Sequence, residues 1–311
     1  MSRPSIIFFG TPVFAANILR YLVENHVSIR AVVTQPDRPK GRSLKMSFSA
    51  VKEVVLEKLP HIPLFQPEKA SNPEFLSEIA KIEADLFVVV AFGQILPQKL
   101  LDIPPLGAIN VHASLLPKYR GAAPIHRCLM NGDRETGVSI QKMVKQLDAG
   151  DVIAESKIAI SSELNCGELE SLLCELSKPL LHRIIESYQE GVPSAVKQDE
   201  ALVTFAPKVD PEEGKIDWNR PAIVLHNLIR AFSPRPGAWA EVRIGSEAKR
   251  VKILRAKVDF LQGAPGVVLT TKSATVGCKD NSLTLLEVQP EGKARMAAVD
   301  WLRGLKEIPK F

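Results

Sequence analysis

Residues 6–33, IIFFGTPVFAANILRYLVENHVSIRAVV, contain the pattern that decides the fold. The apolar run Ile6–Phe9 ends in a Gly-Thr-Pro turn, and Ile29–Val33 is predicted to be a second strand. The residues between them place apolar side chains at helical spacing: Phe14, Ile18, Leu19 and Leu22. A strand–helix–strand unit of this kind opens a parallel α/β sheet. The turn has no GxGxxG pattern and so gives no support to a dinucleotide site.

Further apolar runs continue this pattern along the first two thirds of the chain. The predicted strands cover Leu86–Ala91, Gly107–His112, Gly137–Met143 and Val152–Ile160. The predicted helices cover Phe75–Ile82 and Cys166–Tyr188, and we expect Pro179 to kink or split the second one. We therefore predict a Rossmann-like, mostly parallel α/β sheet in this part of the chain.

The sequence changes character after Pro207. A helical stretch at Ala222–Ala231 is followed by short β-branched segments separated by turn residues. These segments are Ala238–Ile244, Arg250–Val258, Gly266–Thr270, Ala274–Cys278 and Leu283–Glu287. Such closely spaced strands predict a small β-barrel of the oligonucleotide-binding (OB-like) type. We predict an α/β domain at residues 1–190, a linker at 191–207 and the barrel at 208–311.

Composition excludes several classes of protein. The 311 residues are 45% hydrophobic and 24% charged, which is typical of a globular protein. No apolar run is long enough for a membrane span or a signal peptide. The four cysteines have neither paired nor metal-ligand spacing, so we expect reduced, buried thiols in a cytoplasmic protein and no metal site.

The charge is unevenly distributed along the chain. Residues 1–207 contain 22 Lys and Arg against 23 Asp and Glu, whereas residues 208–311 contain 18 against 12. All of the excess positive charge therefore lies in the last third. This suggests a polyanionic partner for the C-terminal part, and a solvated basic surface is the alternative.

Three side chains suggest chemistry at the ends of predicted strands. Asn110 and His112 lie on the same face of their strand, because side chains alternate along a strand. An amide and an imidazole can both donate hydrogen bonds to a developing oxyanion. Asp148 lies in a loop after the next strand, and it would orient the imidazole if it faced His112. A structural polar pair and a turn-capping aspartate are the alternative interpretation.

Four motifs around these side chains carry a resemblance to a known family. They are Asn110-x-His112, Ser114-Leu115-Leu116-Pro117, Tyr119-Arg120-Gly121 and Asp148-x-Gly-Asp151. Together they resemble the 10-formyltetrahydrofolate-dependent formyltransferase family. Further segments resemble the members of that family that act on methionyl-tRNA, with Arg235 where an aromatic residue is expected. These segments are Phe9–Pro12, Gln35–Arg42, Ala206–Lys208 and Pro234–Ala238.

The resemblance implies an enzyme and a set of site residues. The formyl group would pass from 10-formyltetrahydrofolate to the α-amine of methionyl initiator tRNA, for translation initiation. Asn110 and His112 would stabilise the oxyanion intermediate, and Asp148 would assist. Residues on two loops would bind the folate: Phe92, Gln94, Ile95 and Leu96 on one, and Ser114, Leu115, Leu116 and Pro117 on the other.

The resemblance also implies a role for the basic residues. Residues 35–48 contain two prolines, a glycine and four basic residues, which predicts an exposed, mobile loop. In the family, this loop contacts the acceptor stem and the C-terminal domain holds the tRNA. The implied contacts are Arg38, Lys40, Arg42, Lys45, Lys208, Lys249, Arg250, Lys252 and Arg255, with Arg42 the principal one.

Two alternative functions remain at this point. A formyltransferase of the same fold could act on an amino-sugar nucleotide, but such an enzyme has no need of a basic loop at residues 35–48. The chain could also be a non-catalytic RNA-binding protein, against which the intact Asn110, His112 and Asp148 argue. We expect a monomer without membrane association.

Overall fold

The structure is a computed structural model that describes residues 3–40 and 45–311. In chain order the strands are β1 (Ile6–Gly10), β2 (Ile29–Val33), β3 (Arg38–Lys40), β4 (Lys45–Ser47), β5 (Leu64–Phe65), β6 (Leu86–Val90), β7 (Ala108–His112), β8 (Glu135–Lys142), β9 (Val152–Ala159), β10 (Ala238–Ile244), β11 (Glu247–Asp259), β12 (Val268–Thr270), β13 (Thr275–Gly277), β14 (Ser282–Pro290) and β15 (Met296–Ala297). The α-helices are α1 (Val13–Glu24), α2 (Ala50–Lys58), α3 (Pro73–Ile79), α4 (Gln98–Leu101), α5 (Pro124–Asn131), α6 (Cys166–Ser187), α7 (Ala222–Phe232) and α8 (Ala298–Arg303).

The chain divides into two compact units. The first comprises Met1–Gly121, Thr136–Ile158 and Ser171–Phe205. The second comprises Ala122–Glu135, Ala159–Glu170 and Ala206–Phe311. The domain boundaries 1–190, 191–207 and 208–311 stay a prediction.

A seven-stranded sheet in the order β5-β2-β1-β6-β7-β8-β9 forms the centre of the first unit. The strands from β5 to β7 are parallel, and β8 runs antiparallel to β7. This confirms the predicted Rossmann-like, mostly parallel sheet. The central strands β1 and β6 are buried along their whole length, which explains their unbroken apolar sequences.

The turn after β1 requires a glycine. A Cβ on Gly10 would lie 2.7 Å from the Cβ of Ala15 and 3.1 Å from the carbonyl oxygen of Val90. The start of α1 can therefore pack closely against the ends of β1 and β6. This close approach brings together the carboxyl ends of the parallel strands, where ligands bind in open α/β sheets.

Two features of the first unit differ from the sequence expectations. Residues 38–47 include a short antiparallel pair, β3 with β4, where a loop without regular structure was predicted. Helix α6 is continuous across Pro179, so the predicted split is wrong. Proline has no N–H, so the carbonyl of Glu175, four residues earlier, receives no hydrogen bond from Pro179. Both residues are exposed, so this carbonyl lies on the solvent side of the helix.

An antiparallel sheet in the order β10-β11-β14-β13-β12, with β15 paired to β14, forms most of the second unit. Helix α7 packs against β11 and α5. The small C-terminal β domain, predicted as an OB-like barrel, is confirmed as an antiparallel β-sheet domain, and each of its five predicted strands overlaps one of the strands β10–β14. No helix among the described residues is long and apolar enough to cross a bilayer.

Candidate active site

The site is built at the carboxyl end of β7. Asn110 lies opposite Gln141 of β8 in the antiparallel register, and His112 lies opposite Ser139. Residues opposite each other in a sheet point to the same face, so these four side chains line one surface. The predicted Asn110–His112 pair is therefore joined by two polar residues from the neighbouring strand.

His112 is buried and has a fixed orientation. Its Nε2 atom lies 2.9 Å from the carbonyl oxygen of Tyr119. A carbonyl oxygen can only accept a hydrogen bond, so Nε2 carries a proton. Its Nδ1 atom lies 3.8 Å from Oδ2 of Asp148. Nδ1 is therefore the ring nitrogen that faces the carboxylate.

Asp148 is held by two hydrogen bonds. Its Oδ2 accepts from the backbone N–H of Gly121 at 2.8 Å, and its Oδ1 accepts from Nε2 of Gln141 at 3.0 Å. Asp148 also has a φ of +50°, in the left-handed region that a side-chain-bearing residue rarely adopts. The structure thus brings Asp148 to His112, as the sequence interpretation required.

The side-chain amide of Asn110, unlike the neighbouring polar side chains, has no hydrogen bond to the described part of the protein. No hydrogen-bond partner for it is found among residues 3–40 and 45–311, although the residue is only partly exposed. A polar group left without a protein partner at a half-buried position is available to a ligand. The geometry therefore offers an amide donor beside a buried imidazole–carboxylate pair.

Three further residues support this arrangement: sequence reasoning missed Gln141 and Gln198, and it named Arg120 only as part of a motif. Gln141 bonds to Asp148, Gln198 donates to the carbonyl oxygens of Asp148 and Gly150, and Arg120 donates to Gln198. Side chains alternate between the two faces of β8, so Gln141 could have been placed beside Asn110 if the register of β7 and β8 had been known. Gln198 lies in a segment without periodicity, so no sequence signal pointed to it.

Hydrogen bonds and close packing fix the segment Ser114–Pro117, which follows β7. The hydroxyl of Ser114 donates to the carbonyl of Lys118 at 2.6 Å, and the N–H of Leu116 donates to Oγ of Ser139 at 3.0 Å. Leu115 packs against Gly137, where a Cβ would lie 2.6 Å from its side chain. The backbone of this predicted folate-binding wall is thus fixed by β8.

The other predicted folate residues are in different environments. Phe92 and Leu96 belong to the hydrophobic core of the first unit, whereas the side chain of Ile95 is 82% exposed. The Gln94 amide accepts from the N–H of Ala70 at 2.6 Å and donates to the carbonyl of Pro67 at 3.0 Å. Of these four side chains, Ile95 is the one most accessible to a ligand.

Several of the predicted tRNA contacts already have acidic partners. Arg38 pairs with Glu68, Lys249 with Glu247, Arg250 with Glu212 and Arg255 with Glu168. Lys252 donates to the carbonyl of Pro236 at 2.7 Å, and Lys208 is exposed. Solvent-exposed ion pairs contribute little free energy, so a phosphate can compete for these cations. Lys40 and Lys45 lie on β3 and β4, and Arg42 lies outside the described residues.

No group of metal ligands is found among the residues that the structure describes. The buried thiol of Cys166 is in the second unit, and burial raises its pKa to about 12. The pKa of His126, 3.7 Å from that sulfur, is lowered by burial. A neutral thiol and a neutral imidazole make this pair a packing contact.

Comparisons with known proteins identify the family of the chain. Residues 4–185 match the formyl transferase family, and residues 208–306 match the C-terminal domain of formyl transferases. A methionyl-tRNA formyltransferase from Protochlamydia amoebophila is 46% identical over 308 residues, covering 98% of this chain and 96% of that protein. One from Geobacter metallireducens is 42% identical over 311 residues, covering 99% of this chain and 98% of the relative.

Solved structures show the same fold at lower identity. HypX from Aquifex aeolicus, in complex with tetrahydrofolic acid, matches with a TM-score of 0.67 at 18% identity. That match covers 98% of this chain, which spans about half (49%) of the HypX chain. WlaRD, a sugar 3N-formyl transferase, matches with a TM-score of 0.68 at 18% identity, covering 94% of this chain and all of WlaRD.

The chain therefore belongs to the formyl transferase family. The two relatives at 46% and 42% identity, each matched over nearly its whole length, are methionyl-tRNA formyltransferases.

Proposed function

We propose that this chain transfers the formyl group of 10-formyltetrahydrofolate to the α-amine of methionyl initiator tRNA. The observation that carries the proposal is the Asn110 amide, which has no partner among the described residues and lies beside the buried His112–Asp148 pair. The full-length similarity to methionyl-tRNA formyltransferases supports the choice of acceptor. We expect the protein to act as a cytoplasmic monomer.

The proposed chemistry needs only groups that the site contains. The amine nitrogen of the methionyl group attacks the formyl carbon, and the carbonyl oxygen takes up the negative charge. The Asn110 amide donates a hydrogen bond to that oxygen, and the charged imidazole of His112 donates a second one from Nδ1. Each donor lowers the barrier by about 3–4 kcal/mol in comparable sites.

Asp148 serves the same step through His112. Its carboxylate lies 3.8 Å from Nδ1 and orients the ring. The attacking amine loses a proton, and N10 of the folate gains one as the bond between N10 and the formyl carbon breaks. Asp148 assists this transfer by ordering a water between the two nitrogens.

The tRNA side of the proposal rests on charge. Residues 208–311 carry six more basic than acidic residues, and Lys208, Lys249, Arg250 and Lys252 are exposed. Phosphate contacts by such residues make affinity fall steeply with salt. Arg38, Lys40, Arg42 and Lys45 would contact the acceptor end of the tRNA.

A transfer assay tests the function directly. Formyl-labelled 10-formyltetrahydrofolate is mixed with the protein and methionyl initiator tRNA, and label on the methionine amine is measured after hydrolysis of the ester. Uncharged tRNA and a nucleotide-linked amino sugar serve as control acceptors. Label on methionine supports the proposal, whereas label on the amino sugar alone contradicts it.

Arg42 offers a second test on the tRNA side. We expect Arg42→Ala to impair transfer to methionyl-tRNA with little change in folate binding, because the loop would contact only the acceptor stem. Arg30→Ala, at an exposed arginine of β2, is the matched control. An equal loss of folate affinity in Arg42→Ala would refute this assignment.

A further inference from the structure

The side chain of Gln198 is the most completely bonded amide near the site. Its Nε2 donates to the carbonyl oxygens of Asp148 at 2.8 Å and Gly150 at 2.6 Å, and more weakly to Oε1 of Gln141 at 3.4 Å. Its Oε1 accepts from Nε of Arg120 at 3.0 Å. The residue is 6% exposed, so these bonds are shielded from water.

Arg120 determines which way this amide faces. Arg120 is 1% exposed, and its guanidinium also donates to Glu200, with Nη2 2.8 Å from Oε1. A guanidinium can only donate, so the Gln198 oxygen must face it. The amide NH₂ group of Gln198 is then directed at the two carbonyl oxygens of the Asp148 loop.

The loop that receives these bonds has a strained backbone. Asp148 adopts a φ of +50°, in the left-handed region that disfavours a residue with a side chain. At Gly150 a Cβ would lie 1.7 Å from the carbonyl oxygen of Lys142, so β8 packs directly against the loop. Such a conformation persists only when neighbouring groups hold it, and Gln198 bonds to the carbonyl oxygens of both Asp148 and Gly150.

The same conformation sets the position of the carboxylate. The side chain of Asp148 reaches Gly121, Gln141 and Nδ1 of His112 from this backbone. A different φ at Asp148 would direct the carboxylate away from the imidazole. We infer that Gln198 is a positioning residue for formyl transfer, holding the Asp148 loop so that its carboxylate faces His112. This inference deepens the proposed function and rests on it.

The test replaces the amide without changing its shape. In Gln198→Glu one carboxylate oxygen still accepts from Arg120, while the other faces two carbonyl oxygens that it cannot bond. We expect kcat to fall by about 10- to 100-fold, because small displacements of reacting groups have effects of this size. The KM values for folate and tRNA should change by less than about twofold.

A matched control and a second variant separate positioning from stability. Glu200→Gln removes the charge that pairs with Arg120 and leaves every bond of Gln198 in place, so kcat should stay within about twofold of the original. Gln198→Met removes the four hydrogen bonds of the side chain without adding a charge, and it should lower kcat as Gln198→Glu does. A Gln198→Met protein with unchanged kcat would overturn the inference.

Hydrogen exchange gives a readout that does not need activity. A peptide covering residues 143–151 should exchange faster in both Gln198 variants and at the original rate in Glu200→Gln. Unchanged exchange in that peptide in both Gln198 variants would overturn the inference. A wild-type protein that transfers no formyl group would refute the proposed function, while the exchange result would still show whether Gln198 holds the loop.

Discussion

Replacement of Asn110 by alanine removes one hydrogen-bond donor and little else. The amide has no partner among the described residues, so its loss leaves no buried group without its bond. The backbone pairing of Asn110 with Val89 and Gln141 does not depend on the side chain. We therefore expect the free energy of unfolding to change by less than about 1 kcal/mol.

The effect on the rate should be much larger. One oxyanion donor lowers the barrier by about 2.7–4 kcal/mol, which corresponds to a factor of about 100–1,000 in kcat. The hydrogen bond strengthens as charge develops on the formyl oxygen, so the KM values should change little. The second donor, His112, remains in Asn110→Ala, and residual activity should therefore be measurable.

Single-turnover transfer of labelled formyl groups measures this effect without interference from product release. Asn110→Asp is the matched variant, because it preserves shape but places a negative charge beside the developing oxyanion. It should be at least as slow as Asn110→Ala. A decrease of less than tenfold in Asn110→Ala, in a protein with unchanged melting temperature, would refute the oxyanion role.

Three further predictions concern other parts of the chain. Gly150→Ala should lower the free energy of unfolding by more than about 2 kcal/mol in urea denaturation, because its Cβ would clash with the carbonyl of Lys142. Lys208→Ala should lower the slope of log affinity for tRNA against log salt by about 1 in binding titrations if the lysine contacts a phosphate. Lys52 and then Gln66 hold the pKa of the Asp37 carboxyl below its ordinary value through hydrogen bonds. The stability from this carboxylate is thus fully present above its unfolded-state pKa and is lost as pH falls through the lowered folded-state pKa. Lys52→Met should return the pKa toward the ordinary value in an NMR titration, and an unchanged pKa would contradict this cause.

The sequence predicted the sheet well where burial determined the pattern. The strands β1 and β6 are apolar runs because both faces of the sheet are covered there, and the observed bounds of β1, β2 and β6 match the predictions within one residue. Helix α2 was missed because only Val51, Val54 and Val55 are buried along it. Its position depends on tertiary contacts more than on its own periodicity.

The candidate site was predictable in part. Asn110 and His112 could be placed on one face because strand alternation is local information. Asp148 could be named but not positioned, because its contact with His112 depends on a loop with a positive φ. Gln198 could not be identified, since its contacts join residues 48 and more positions apart.

These distant contacts have a consequence for folding. Arg120 reaches Gln198 across 78 positions and Glu200 across 80, and the loop containing Asp148 is tied to the same segment. Contacts between residues so far apart in sequence form late, because the entropy of closing a long chain segment must be overcome first. The strands of the sheet can pair before residues 198–200 dock against them. The arrangement of side chains around His112 cannot form until those residues are in place. A newly made chain should thus gain a folded sheet before it gains a competent active site.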